Sequence, residues 1–197
     1  MSFEDLLERN AKWSAETAKT DPDLLASMGK GQSPEILWIG CSDSRVPPDT
    51  ILNTKPGTIF AHRNIANVVS PTDLSILSIL QFGLEALKIR QIVVCGHYAC
   101  GGVIASMDEA PHGLVDNWLN HIRTVSRLHQ SELNAIADKG ARASRLSELN
   151  VLAQVDNVAA TTVVQDLWRA RFEIDIHGVI FDVKSGKLTH LTTRGPQ

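Results

Sequence analysis

Apolar residues recur along the chain with two different periods, and the switches between them mark out its elements. Phe3, Leu6, Leu7, Ala11 and Trp13 fall at roughly helical spacing over residues 2–19, which predicts an amphipathic N-terminal helix. Residues 35–40 form a nearly continuous apolar run ended by Gly40, the pattern of a strand buried on both faces of a parallel sheet. Residues 58–61 predict a second short strand after the turn signal Lys55-Pro-Gly57. Ser70-Pro71-Thr72-Asp73 predicts a helix start, with Ser70 as N-cap, Pro71 at the first helical position and Asp73 near the positive dipole end. Leu77, Leu80, Leu84 and Leu87 continue one face of that helix, and residues 91–96 form another β-rich run. Strand, helix and strand in this order predict a crossover with parallel pairing.

Beyond it, residues 116–130 and 150–170 read as helices, with Arg, Glu and Ser filling the stretch between them. Residues 172–176 alternate apolar and polar, and residues 178–183 followed by Lys184-Ser-Gly-Lys187 read as a hairpin or edge strand near Phe181. The predicted class is α/β: a central, mainly parallel β-sheet flanked by helices, with an N-terminal helical arm over residues 1–30 and an antiparallel edge strand near the C-terminus. The arm has two readings, packing on a neighbouring subunit or covering its own domain. No internal repeat and no second domain are visible, so residues 1–197 read as a single domain.

Composition narrows the function classes. A chain that is 43% hydrophobic and 21% charged is that of a soluble globular protein with no long disordered linker. Its net charge of −3 argues against a nucleic-acid partner, which calls for a basic face that neutralises phosphates. No apolar run approaches the roughly 20 residues that span a bilayer, and the acidic, amphipathic start is unlike a signal peptide, so an intracellular, cytoplasmic protein is expected. The three cysteines, Cys41, Cys95 and Cys100, make no closed disulfide framework and serve instead as core, metal-ligating or catalytic groups.

Two of the cysteines fall at strand ends, where open α/β sheets bind ligands. Cys41 follows the strand over residues 35–40; His97 and Cys100 follow the one over residues 91–96. Two thiolates and an imidazole form a donor set that suits zinc and leaves a fourth tetrahedral position for water or substrate. Each residue also has a plainer reading, since a lone buried Cys is more often core than ligand. Cys95 lies inside its strand and reads as a small core residue. In Cys41-Ser-Asp43-Ser-Arg45, Asp43 either closes the metal site as a fourth ligand or is held by Arg45 in a charge-assisted pair; a turn carboxylate bonded to local amides is the third reading.

Cys41-Ser-Asp-Ser-Arg45, His62-Arg-Asn-Ile-Ala-Asn67 and Gly96-His-Tyr-Ala-Cys-Gly-Gly102 together resemble the three characteristic segments of the β-class carbonic anhydrases, in order and at matching separations over residues 32–183. The resemblance implies zinc held by Cys41, His97 and Cys100, one per chain, and zinc-dependent hydration of CO2 to bicarbonate and a proton, assisted by an Asp43–Arg45 dyad. It further implies substrate contacts from Gln32 and the Gly102 amide. Phe60 and Phe82 are expected as aromatic walls of the CO2 pocket, one of them reaching across a dimer interface, in a homodimer or homotetramer. An inhibitory bicarbonate site in some members uses a Trp, an Arg and a Tyr; Trp38 and Arg63 match, but Phe181 stands where the Tyr would be and lacks its hydroxyl. Proton-shuttle candidates are His62, Tyr98 and His112. Rival readings are hydrolysis of carbonyl sulfide or carbon disulfide on the same fold, and a zinc site that only stabilises the fold.

Overall fold

The computed structural model describes residues 1–196, which fall into two compact units, Met1–Ser33 and a second from Pro34 onward. The first unit is helical. Helix α1 spans Phe3–Thr20 behind a capping box, in which the Ser2 hydroxyl accepts from the Asp5 amide and the Asp5 carboxylate accepts from the Ser2 amide. Helix α2, Pro22–Met28, follows, with Pro22 at its first position where a missing N–H costs nothing.

The second unit runs β1 (Ile36–Cys41), α3 (Pro48–Ile51), β2 (Ile59–Asn64), α4 (Leu74–Gln81), β3 (Gln91–His97), α5 (Gly101–Ser106), α6 (Val115–Leu128), α7 (Gln130–Asn134), α8 (Lys139–Ala159), α9 (Thr162–Arg169), β4 (Asp175–Asp182) and β5 (Lys187–Arg194). The sheet order is β2-β1-β3-β4-β5, with the first four strands parallel and β5 antiparallel at the edge, as expected for a mainly parallel α/β sheet. The chain leaves β1 to one side for β2 and returns on the other side for β3. Such a reversal opens a crevice at the carboxyl ends of β1 and β3. Among the described residues no helix is long and apolar enough to cross a membrane.

Alternation along the strands feeds different cores. Leu37, Ile39, Ile92, Val94, Ile176 and Ile180 point to one face and pack with Leu80 and Leu84 and with Val151, Val155 and Val158 of α8. Trp38, Cys95 and Phe181 point to the other face and pack with Val46. A third cluster joins Cys41 and Cys100 to Leu119 and Ile122 of α6 and Leu146 and Leu149 of α8.

Four element assignments differ from the expectation. The helix after residue 70 begins at Leu74 with Asp73 as N-cap, because the Asp73 carboxylate accepts from the Ser75 amide at 2.9 Å. The Ser70 hydroxyl is spent within its own turn, 3.0 Å from the Thr72 hydroxyl. The stretch between residues 130 and 150 is not filler. Helix α8 already starts at Lys139, capped by Asp138 onto the Ala141 amide at 2.7 Å, and the chain breaks at Thr161 before α9. Residues 172–174 lie outside any strand, so β4 starts at Asp175. Phe181 sits on β4, an interior strand, and the edge belongs to β5.

Helix α8 lies so close over the sheet that β3 needs Gly96. A Cβ there would stand 2.5 Å from Val151 Cγ2 and 3.2 Å from Ile180 Cδ1, well inside van der Waals contact. Gly96→Ala is expected to cost about 1–3 kcal/mol of stability, the usual range for overpacking a tight core. Denaturant unfolding measures it, and an unchanged midpoint with unchanged slope would show that α8 does not bear on the strand there.

Candidate metal centre

The parallel register sets Gly40 of β1 opposite Cys95 of β3, so the two strands end side by side. Cys41 is the last residue of β1 and His97 the last of β3, while Cys100 precedes α5. Their ligating atoms lie within 4.8 Å of one another, and all three residues are buried. The two sulfurs are 3.9 Å apart, far beyond a disulfide. Two thiolates bound to one tetrahedral zinc at about 2.3 Å each sit roughly 3.8 Å apart.

The imidazole is already oriented. His97 Nδ1 lies 3.0 Å from the Tyr98 carbonyl oxygen, to which it donates, while Nε2 is buried with no hydrogen-bond partner. A buried, unpartnered ring nitrogen beside two cysteines is a donor free to bind a metal ion. The donor set and its spacing therefore fit zinc.

The Cys41 thiol is pulled down, chiefly by a hydrogen bond from Cys100 and further by His97 and nearby amides, against the opposing effect of burial. The Cys100 thiol is pushed up, first by that shared bond and then by burial. Cys95 is buried on the opposite sheet face, its thiol donating to the Gly96 carbonyl at 3.2 Å, and burial pushes its pKa up. It stands in the core, as its position inside the strand suggests.

Asp43 lies beside the ligands without joining them. Its Oδ2 is 3.8 Å from His97 Nε2, yet both carboxylate oxygens are taken by the fork of Arg45, Nε to Oδ1 at 2.9 Å and Nη2 to Oδ2 at 2.7 Å. The Arg45 guanidinium beside it holds the Asp43 carboxyl well below the usual carboxylate range, with burial opposing. Arg45 Nη2 also donates to the Ala99 carbonyl at 3.2 Å, tying the loop after β1 to the loop after β3.

A pocket of about 390 Å³ opens over Cys41 and Asp43, lined by Ile65, Gly102, Ala105, His112, Val115 and Leu119 among others. Gly102 is required there because a Cβ would stand 2.6 Å from Ile65 Cγ2. Phe60 and Phe82 do not line this pocket. Their rings are 6.0 Å apart and share a separate groove of about 700 Å³ with Ser75, Ile79 and Glu85. Phe60 stands four residues before the end of β2, roughly 13 Å back along the strand. Gln32 is exposed and belongs to the N-terminal unit. Of the shuttle candidates, His112 lines the pocket, whereas the Tyr98 hydroxyl donates to Glu148 on α8 at 2.7 Å, and burial with that bond pushes its pKa up to about 12. The His62 ring is half-buried and 3.2 Å from the Asn64 side-chain amide.

A family model described as carbonic anhydrase matches residues 36–188. The chain belongs to the β-class carbonic anhydrases. Among its relatives, a carbonic anhydrase of Emericella nidulans is 44% identical over 195 residues, covering 99% of this chain and 86% of that one. A carbonic anhydrase of Pseudomonas aeruginosa is 30% identical over 196 residues, covering 95% and 86%. One solved relative, from a study of two tetrameric β-carbonic anhydrases of Sordaria macrospora, superposes with a TM-score of 0.93 at 39% identity and 98% coverage of both chains. A Coccomyxa β-carbonic anhydrase in complex with acetazolamide superposes with a TM-score of 0.93 at 35% identity, covering 98% of this chain and 88% of that one.

Around this carbonic anhydrase centre stands a second layer that residue types did not single out. The Ala66 amide donates to Cys41 Sγ at 3.4 Å, from a loop in which Ala66 and Asn67 both hold positive φ. That loop is bolted to α8: Asn150 Nδ2 donates to the Ala66 carbonyl at 2.9 Å, and the Val69 amide donates to Gln154 Oε1 at 2.8 Å. Asn150 and Gln154 are each 1% exposed, and a buried Asn and Gln on an otherwise apolar helix face were the available signal. Arg63 bridges the other side, donating from Nε to the Cys41 carbonyl at 2.9 Å and from Nη2 to the Asp43 and Val46 carbonyls at 2.7 and 3.2 Å. Removing an outer-layer partner of this kind typically costs about 10–100-fold in metal affinity. Arg63→Ala is expected to lose metal to a chelator with at least the lower of these changes while keeping its helical circular dichroism; equal retention would show that the clamp is dispensable.

Proposed function

We propose that this chain catalyses the zinc-dependent, reversible hydration of CO2 to bicarbonate and a proton. One observation carries the reading: a Cys41–His97–Cys100 donor set whose neighbouring carboxylate is occupied by Arg45, so that a fourth position stays open to water. A purely structural site has no use for such an arrangement. The relatives described above are named carbonic anhydrase, which supports CO2 over its sulfur analogues.

Cys41, His97 and Cys100 would hold the metal. Bound zinc acts as a Lewis acid that brings the pKa of water down to about 7 and so supplies a nucleophile at neutral pH. Asp43, kept ionised by Arg45, accepts a hydrogen bond at Oδ2 from the attacking group and turns its lone pair toward substrate. The apolar walls Ile65, Val115 and Leu119 suit a linear, uncharged molecule and exclude bulk water, with the Gly102 amide as a contact for its oxygen. His112, at the pocket wall, is the group placed to carry the released proton outward.

Phe60 and Phe82 lie away from the pocket of their own chain, so their role as walls of a CO2 pocket is read as exercised on a partner's site, with Gln32 as a further substrate contact. The half-exposed Phe82, with Phe60 and Ile79 in the same groove, gives that region an apolar face suited to self-association. A homodimer, or a tetramer like that of the Sordaria relative, is the assembly proposed. The free thiols suit a reducing compartment, and the cytoplasm is the one proposed.

Metal analysis with a CO2 hydration assay tests the activity, and a dominant sulfide release from carbonyl sulfide would overturn the substrate. Asp43→Ala is expected to keep its zinc and lose about 100-fold or more in rate, the usual weight of a positioned proton acceptor. Loss of zinc together with fold would make Asp43 a structural group instead. A fully active monomer would remove Phe60 and Phe82 from the substrate path.

A further inference from the structure

A second pocket, of about 370 Å³, lies between α5, α6, α7 and α8. Its lining includes three arginines, Arg123, Arg127 and Arg142, together with the neutral polar residues Ser126, Gln130 and Asn134. No carboxylate lines it, in a chain where 22 acidic residues outnumber 19 basic ones. A concave concentration of one sign of charge is where a counter-ion gathers.

Two of the three guanidinium groups, those of Arg127 and Arg142, are only partly committed. Arg142 donates from Nε and Nη2 to the Ile136 carbonyl at 2.9 and 2.7 Å, which fixes its plane and leaves Nη1. Arg127 makes one hydrogen bond, from Nη2 to the Thr124 hydroxyl at 2.9 Å. Arg123 is the most engaged: it donates from Nη2 to Asp116 Oδ1 at 2.7 Å, from Nη1 to the Asp116 carbonyl at 3.2 Å and Asn120 Oδ1 at 3.3 Å, and from Nε to the Ser106 carbonyl at 3.3 Å. The planar forks of Arg127 and Arg142, with spare donors and backed by hydroxyl and amide side chains, match the several acceptor oxygens of a phosphate.

The pocket also has a route to the metal site. Asp116 Oδ2 accepts from the His112 amide at 2.7 Å, so one carboxylate is shared between Arg123 and the residue that lines the metal pocket. An oxyanion competing for Arg123 acts on that carboxylate and through it on the His112 segment.

We propose that the arginine pocket between α5 and α8 binds a phosphate group, free or carried by a small monoester, and that occupancy reaches His112 through Arg123 and Asp116. The site shares no lining residue with the metal pocket and stands independently of the reaction assigned there.

The test titrates the zinc-loaded full chain with inorganic phosphate and, separately, glycerol phosphate at fixed ionic strength, by calorimetry and amide nuclear magnetic resonance. Saturable binding is expected, with shifts at Arg127 and at the His112 amide. Arg127→Ala, at an exposed position, is expected to weaken binding about tenfold or more, the weight of one charged hydrogen bond. Arg127→Glu is expected to abolish binding while zinc content and basal CO2 hydration stay unchanged. Tighter binding of the ester assigns the site to a phosphate monoester, and equal or weaker binding assigns it to free phosphate. No saturable binding, or binding that survives Arg127→Glu unchanged, overturns the site; saturable binding with a motionless His112 amide overturns the route to the metal pocket.

Discussion

Three side chains from two strand ends must converge on one point in a buried place, and this requirement organises the molecule. The parallel pairing of β1 with β3 does the coarse work, because it brings Cys41 and His97 to the same end of adjacent strands where the sheet order reverses. The turn after β3, with Ala99 at positive φ, brings Cys100 back beside them. Backbone then completes the arrangement: the Tyr98 carbonyl fixes the imidazole ring, and the Ala66 amide faces a sulfur. A soft donor set of this kind is costly to bury without an ion, so much of the neighbouring structure holds it in place.

Helix α8 shows how that support is supplied. Its apolar residues serve two clusters at once, Val151, Val155 and Val158 against the sheet and Leu146 and Leu149 against the cluster around the cysteines. Between them stand Asn150 and Gln154, fully buried and fully employed, with Gln154 Nε2 donating to Asn150 Oδ1 at 2.9 Å. Each satisfies backbone groups of the loop over residues 66–69 that would otherwise be buried without partners, which is the condition under which buried polar groups are tolerated. Tyr98 reaches the same helix through Glu148, which Arg145 holds in turn at 2.7 Å. One helix thus grips both loops that surround the metal ligands.

The parts visible in the sequence were those where one residue type admits few explanations. Apolar runs ended by glycine marked β1 and β3, and the cysteines and histidine at their ends marked the centre. Helix α8 was half hidden because serving two cores widens its apolar stripe, while Asn150 and Gln154 interrupt it. The helix cap went to Asp73 over Ser70 because a carboxylate two residues before Ser75 reached its amide, a choice that spacing does not decide. The separation of Phe60 and Phe82 from the metal pocket follows from how far along β2 the former sits, and motif order carries no such distance. Arg63, matched at first to an anion site, is taken up by three backbone carbonyls, a role that only the folded loop defines.

The Arg45 guanidinium has a consequence for how this protein can be improved. It neutralises Asp43 and also fastens the loop after β1 to the Ala99 carbonyl. With the Arg45 side chain exposed, the pair adds little to stability by its charge alone. Replacing it would remove the carboxylate proposed to orient the attacking group along with the fastening, so a search for a more thermostable variant risks activity at this pair for little return and has to find its gains elsewhere in the molecule.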